Sequence, residues 1–284
     1  MVQNAIRWTL AAVALLIMGP LLTILTGLAP APDGSGIASP ALSGSIATGG
    51  VAWLVAIAIA GAYALFVTRL TTWRLGVACL GLCLVWSAWS APTLNDLVRS
   101  EAGASIVTPL AIDGLLLTLV ACACAFVCVR QAKGDDERDA PKIDAPAALG
   151  ILGCAAGTLV AVFLIAQDDR VGQTLGAAVV AGFAGGTLGR ALAPKSPQWV
   201  ILAGLPIAAL AAPFVGNALT SGPLDEAVFE GGVSSLLRVM PAHFAAGVLI
   251  GFPAGAAQAD ALAEKSGGDT ASGAGKPARR AATT

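Results

Sequence analysis

Residues 106–130 read IVTPLAIDGLLLTLVACACAFVCVR, an apolar run that carries one acid, Asp113, and closes on Arg130. A bilayer core is about 30 Å thick and an α-helix rises about 1.5 Å per residue, so about 20 apolar residues cross it. This stretch is long enough. In hydrocarbon every backbone N–H and C=O must find its partner within the segment, which makes the run a helix rather than a buried strand.

Working outward from it, apolar runs bounded by charge, proline or glycine recur near 8–29, 51–68, 75–91, 106–129, 147–166, 171–189, 198–217 and 241–257. They predict an all-α, polytopic transmembrane helix bundle of about eight spans over residues 1–257. Seven is the alternative count, because VGQTLGAAVVAGFAGGTLGRALAP at 171–194 is rich in Gly and Ala and only moderately hydrophobic. Composition agrees: 56% of residues are hydrophobic, 12% are charged and the mean hydropathy is +0.80. A net charge of −1 excludes a basic face for nucleic acid.

With the N-terminus inside, only Arg99, Arg170 and Arg238 of the sixteen Lys and Arg fall on outer segments. Positive charge gathers on inner loops, so an N-in, C-in topology follows. High Ala and Gly usage points to a bacterial cytoplasmic (inner) membrane. Tryptophan favours the headgroup level. Trp8, Trp73 and Trp199 are expected at the inner belt, and Trp53, Trp86 and Trp89 at the outer one. The first run is expected to stay as an anchor, since Pro32 follows APA at 29–31 and hinders cleavage there.

Outside the spans, the Pro, Gly and Ser-rich segment near 29–50 is expected to be unstructured. Residues 130–146 form a charged inner linker, and 258–284 a disordered cytoplasmic tail. In SGPLDEAVFEGG, Pro223, Asp225 and Glu226 suit a helix start and Gly231 its stop. Leu224, Ala227 and Val228 share a face there, as do Leu94, Leu97 and Val98 in PTLNDLVRSEAG, so both loops are expected to be caps at the outer surface, able to lie flat on the membrane, with gates the sharper alternative.

Small residues four apart let membrane helices touch backbone to backbone. Gly153 with Gly157, Gly182 with Gly186, and the ladder Gly247, Gly251, Gly255 therefore predict close packing among the fifth, sixth and eighth spans. Pro20, Pro206 and Pro253 each remove a helix hydrogen bond and invite a kink.

The chemistry is sparse. No catalytic constellation, phosphate loop or nucleotide fingerprint occurs, and no cofactor is implied. The six cysteines lie in apolar runs and read as buried thiols, not metal ligands. Asp113 and His243 are the candidate ion or proton site, each near the outer end of its span and able to pair if those spans are neighbours. A permease-like protein for a small solute or ion is the leading expectation. The alternative is a non-transporting scaffold or subunit that binds a membrane-protein partner or a second copy of itself. An intramembrane enzyme is not expected, because no polar cluster of the needed kind occurs.

Overall fold

In the computed structural model the described residues are 2–31, 34, 36–43, 45–100, 106–132 and 144–272. Their regular structure is helical, with no strand among them and one antiparallel bridge between Pro30 and Ile37. The chain is an all-α, polytopic helix bundle. Eight apolar helices build it: α1 (Val2–Thr26), α2 (Ile46–Leu70), α3 (Trp73–Trp89), α5 (Val107–Ala132), α6 (Ala145–Ile165), α7 (Val171–Leu192), α8 (Gln198–Leu219) and α11 (Pro241–Ser272). Three short helices, α4 (Leu94–Ser100), α9 (Leu224–Glu230) and α10 (Ser235–Arg238), lie between them.

Seven of the eight are long and apolar enough to cross a membrane. The exception is α3, whose 17 residues span only about 25 Å. It sits inside the bundle, packed against α1, α2 and α11. Side-chain caps set several starts: Ser45 for α2, Thr72 for α3 and Asp144 for α6 each accept a first-turn N–H. The Ser45 cap begins α2 ahead of the expected 51. Of the charged linker, 130–132 close α5 and Asp144 opens α6, while 133–143 lie outside the described residues.

Proline and glycine shape three of the spans. In α1 a π-turn at Ala14–Met18 precedes Pro20. The Gly19 N–H bonds the Ala14 carbonyl five residues back. The same pattern would require Pro20 to serve Leu15, and proline has no N–H. The Trp86 indole of α3 fills the vacancy, donating to the Leu15 carbonyl at 2.7 Å. Tyr63 of α2 donates to the Leu10 carbonyl at 2.7 Å, so both neighbours grip the backbone of α1. In α8 the break falls at Leu202–Ala203, ahead of Pro206, which occupies the first turn of the restarted helix. Pro213, not Pro206, is the internal proline of that span. Pro253 lies within α11.

The tightest seam joins α7 and α11. A Cβ on Gly186 would lie 2.5 Å from the Phe252 carbonyl oxygen, one on Gly247 2.5 Å from Ala178 Cβ, and one on Gly251 2.7 Å from Phe183 N. Gly182 faces Val248 and Gly255 faces Phe183 in the same way. On its other side α7 meets α6, where Gly157 approaches the Ala184 carbonyl and Gly153 accommodates the Leu192 side chain. Thus α7 is the middle layer between α6 and α11.

The two ends differ. At one end lie Arg69, Arg74, Arg130 and Arg190. The other end is capped by the segments between spans, which share a second apolar core: Ala38, Leu42, Leu94, Leu97, Ala227, Leu237 and Met240. The faces of α4 and α9 turn toward each other and the bundle, each finding an apolar partner in this cap. One expectation is corrected. The segment near 29–50 is not unstructured, since residues 36–43 are folded into the cap. The helix α9 starts after Pro223 and stops at Gly231, whose φ of 77° is the left-handed conformation that glycine adopts at least cost.

Candidate functional site

The site begins with Asp113, one turn and a half into α5. Its first-turn neighbour Pro109 needs no N–H partner, and Gly114 lets α5 come close to the Ala209 carbonyl of α8. Asp113 is consequently held against the bundle, with 0% of its surface exposed.

What meets the carboxylate is a loop. Residues Pro40–Leu42 form a single tight turn, and the Ala41 N–H donates to Oδ1 at 2.8 Å and Oδ2 at 2.9 Å. The Ser39 hydroxyl and the Leu42 N–H also face the carboxylate. Neither completes a hydrogen bond to it: Leu42 N–H serves the Ser39 carbonyl, and Ser39 Oγ is buried without a partner. No ion pair reaches Asp113 among the described residues.

Two further anchors seat the same loop. Trp53 of α2 donates its indole N–H to the Ala38 carbonyl at 2.9 Å, and the Ile37 N–H donates to the Ser90 carbonyl at 2.8 Å. Trp53 is 1% exposed, its ring turned inside the bundle as a bracket for the loop. Residues 36–43 are therefore a plug seated between α2 and α5 at the capped end, held from three helices.

His243 lies in the first turn of α11 and is 1% exposed. Its Nδ1 stands 3.3 Å from Thr174 Oγ of α7. Its Nε2 is buried without a hydrogen bond. Although α5 and α11 touch, the structure does not bring Asp113 and His243 together. Asp113 turns toward the plug and His243 toward Thr174, so the expected Asp–His pair is not formed.

No family model matches the chain, and no curated protein or solved structure does either.

One cluster escaped the sequence reading. At the basic end Asp260 accepts from Arg74 Nη2 at 2.8 Å, Arg190 Nε at 2.6 Å and Gln198 Nε2 at 3.1 Å. Arg190 also donates to the Ser196 carbonyl at 2.8 Å. One carboxylate thus ties the ends of α3, α7, α8 and α11. Asp260 falls in the segment expected to be a tail, but α11 continues through it to Ser272, and residues 273–284 lie outside the described residues. The signal was present as an acid four residues beyond Ala256, on the buried face that Phe252 and Ala256 define.

The cysteines are free thiols, buried at 79, 83, 122, 128 and 154 and partly buried at 124. Among the described residues no group of His, Cys, Asp and Glu converges as metal ligands.

Proposed function

We propose that the chain is a permease-like protein of a bacterial cytoplasmic membrane, with both termini inside and its outer mouth closed by residues 36–43 latched on Asp113. The observation that carries this reading is the use made of the acid: both oxygens of a fully buried carboxylate are committed to one backbone N–H of a loop. A neutral acceptor would hold a loop without the cost of burying a charge, about 2.5–3.5 kcal/mol at mid-bilayer on insertion scales. A carboxylate adds the capacity to take up a proton or a cation and release the loop. At the inner end Asp260 clamps α3, α7, α8 and α11. His243, whose Nε2 makes no hydrogen bond, is the second buried polar group on the outer side.

Proton or cation flux in proteoliposomes tests this. Wild type is expected to show flux above protein-free vesicles, with Asp113→Asn altering it in a folded protein and His243→Ala reducing it. Flux that ignores Asp113→Asn contradicts the latch.

A second reading, a non-transporting subunit, draws on one feature: an apolar groove of about 560 Å³ between α6 and α7, lined by Gly157, Val160, Leu164, Phe183 and Leu188. A helix of a membrane-protein partner, or of a second copy, would cover it. Co-purification of a stoichiometric partner, with no flux, favours this reading.

A further inference from the structure

The cap holds a second polar feature apart from the plug. Asn95 and Leu94 of α4, Asp169 of the α6–α7 loop, Val228 of α9, and Gly231, Val233 and Arg238 enclose a half-open cavity of about 160 Å³. A water-sized group occupies about 30 Å³, so the cavity has room for about five such groups.

The charges on its wall are opposite and not paired with each other. Asp169 accepts only an amide hydrogen bond, from Asn95 Nδ2 at 2.9 Å. Arg238 donates only to neutral carbonyls: Gln167, Val233 at 3.2 Å and Gly231 at 3.5 Å. No ion pair joins Asp169 to Arg238, while the neighbouring Asp168 is already paired with Arg170 at 3.1 Å. A carboxylate and a guanidinium thus face one small cavity without neutralising each other.

The geometry points to a binding site for a small zwitterion with one ammonium, one carboxylate and a short apolar side chain, of the size of a small amino acid. The ammonium lies against Asp169, the carboxylate against Arg238, and the side chain against Leu94, Val228 and Val233. A simple anion is opposed by Asp169 and a simple cation by Arg238, so the pair selects a solute that carries both charges. Charged hydrogen bonds of this kind are the stronger ones, and Arg238 Nη1, which donates a single hydrogen bond to Gln167, keeps its second N–H for the carboxylate. The site deepens the permease-like reading by naming a solute class. It is tested by binding alone, so its failure is separate from a failure of transport.

The experiment is thermal unfolding of the full-length protein in detergent, with L-alanine, acetate or methylammonium each added on the order of 10 mM, above the affinity expected of so few atoms. L-Alanine is expected to raise the unfolding temperature, while acetate and methylammonium each leave it unchanged. Asp169→Asn, which preserves the shape and the Asn95 contact, is expected to weaken L-alanine binding at least tenfold. Arg238 also holds two loops together, so Arg238→Lys is the conservative variant: it keeps the charge and is expected to weaken binding less than Asp169→Asn. No rise with L-alanine, an equal rise with acetate or methylammonium, or undiminished binding by Asp169→Asn overturns the proposal.

Discussion

The Ala41 backbone N–H donates to both carboxylate oxygens of Asp113, residues 72 apart in the chain. A hydrogen bond to a charged acceptor is worth about 1.5–3 kcal/mol, and about 1.4 kcal/mol is a factor of ten. Asp113→Ala is therefore expected to speed hydrogen exchange of the Ala41 amide by about tenfold or more. Asp113→Asn, which keeps one acceptor oxygen, is expected to give a smaller increase. Exchange as slow as in wild type would show that the Trp53 and Ser90 anchors hold the plug alone.

Trp86→Phe keeps an aromatic side chain and removes the donor to the Leu15 carbonyl. The carbonyl is then left without a partner beside Pro20, in the one stretch of α1 where the helix cannot supply one. Side-chain hydrogen bonds between membrane helices are worth about 0.6 kcal/mol on average and up to about 1.7. A loss in this range is expected in detergent unfolding, with hydrogen exchange in α1 rising more than in α7. Equal changes in both helices would place the effect elsewhere.

Two glycines allow a controlled comparison. A Cβ on Gly251 meets the backbone of α7, Phe183 N at 2.7 Å, whereas one on Gly176 meets nothing within 4 Å. Backbone cannot move aside as a flexible side chain can. Gly251→Ala is expected to lower stability by about 1–3 kcal/mol through overpacking, with Gly251→Leu worse. Gly176→Ala is expected to be neutral or slightly stabilising, since alanine is the better helix former. Equal tolerance at both positions would refute the α7–α11 seam.

Asp260→Asn removes the charge that two arginines share. These groups are partly exposed, Asp260 to 25% and Arg74 to 41%, so each pair is worth only about 0.2–1 kcal/mol and is screened by salt. The variant is expected to lose more stability at low salt than at about 1 M salt, where the Debye length falls to about 3 Å. A deficit independent of salt would mean that the Gln198 hydrogen bond, not the ion pairs, carries the contribution.

The spans were readable because each is a local, continuous apolar run, and α9 because Pro223 and Gly231 mark its ends within a dozen residues. The glycine faces were readable for the same reason, as a four-residue spacing needs no knowledge of the partner. What was not readable is held by distant partners. Residues 36–43 have the composition of a free loop, and only Trp53, Ser90 and Asp113, from three helices, give them a place. Trp53 looks like a belt residue until the loop supplies a carbonyl for its indole. Asp260 lies where the apolar run has already ended, and nothing nearby indicates that Arg74 and Arg190 converge on it. Asp113 stood out in the sequence as the acid inside a span, but its partner did not.

The most direct test of the latch needs no substrate. Leu117 lies one turn below Asp113 on the same buried face of α5 and is 3% exposed. With Leu117→Cys introduced, a membrane-impermeant thiol reagent added from outside is expected to label that position slowly while Asp113 holds the plug. In the Asp113→Ala background it is expected to react at least tenfold faster, above the background of the native cysteines. Equal labelling rates with and without Asp113 would contradict the account, because the plug would then not depend on the carboxylate that the account makes its latch.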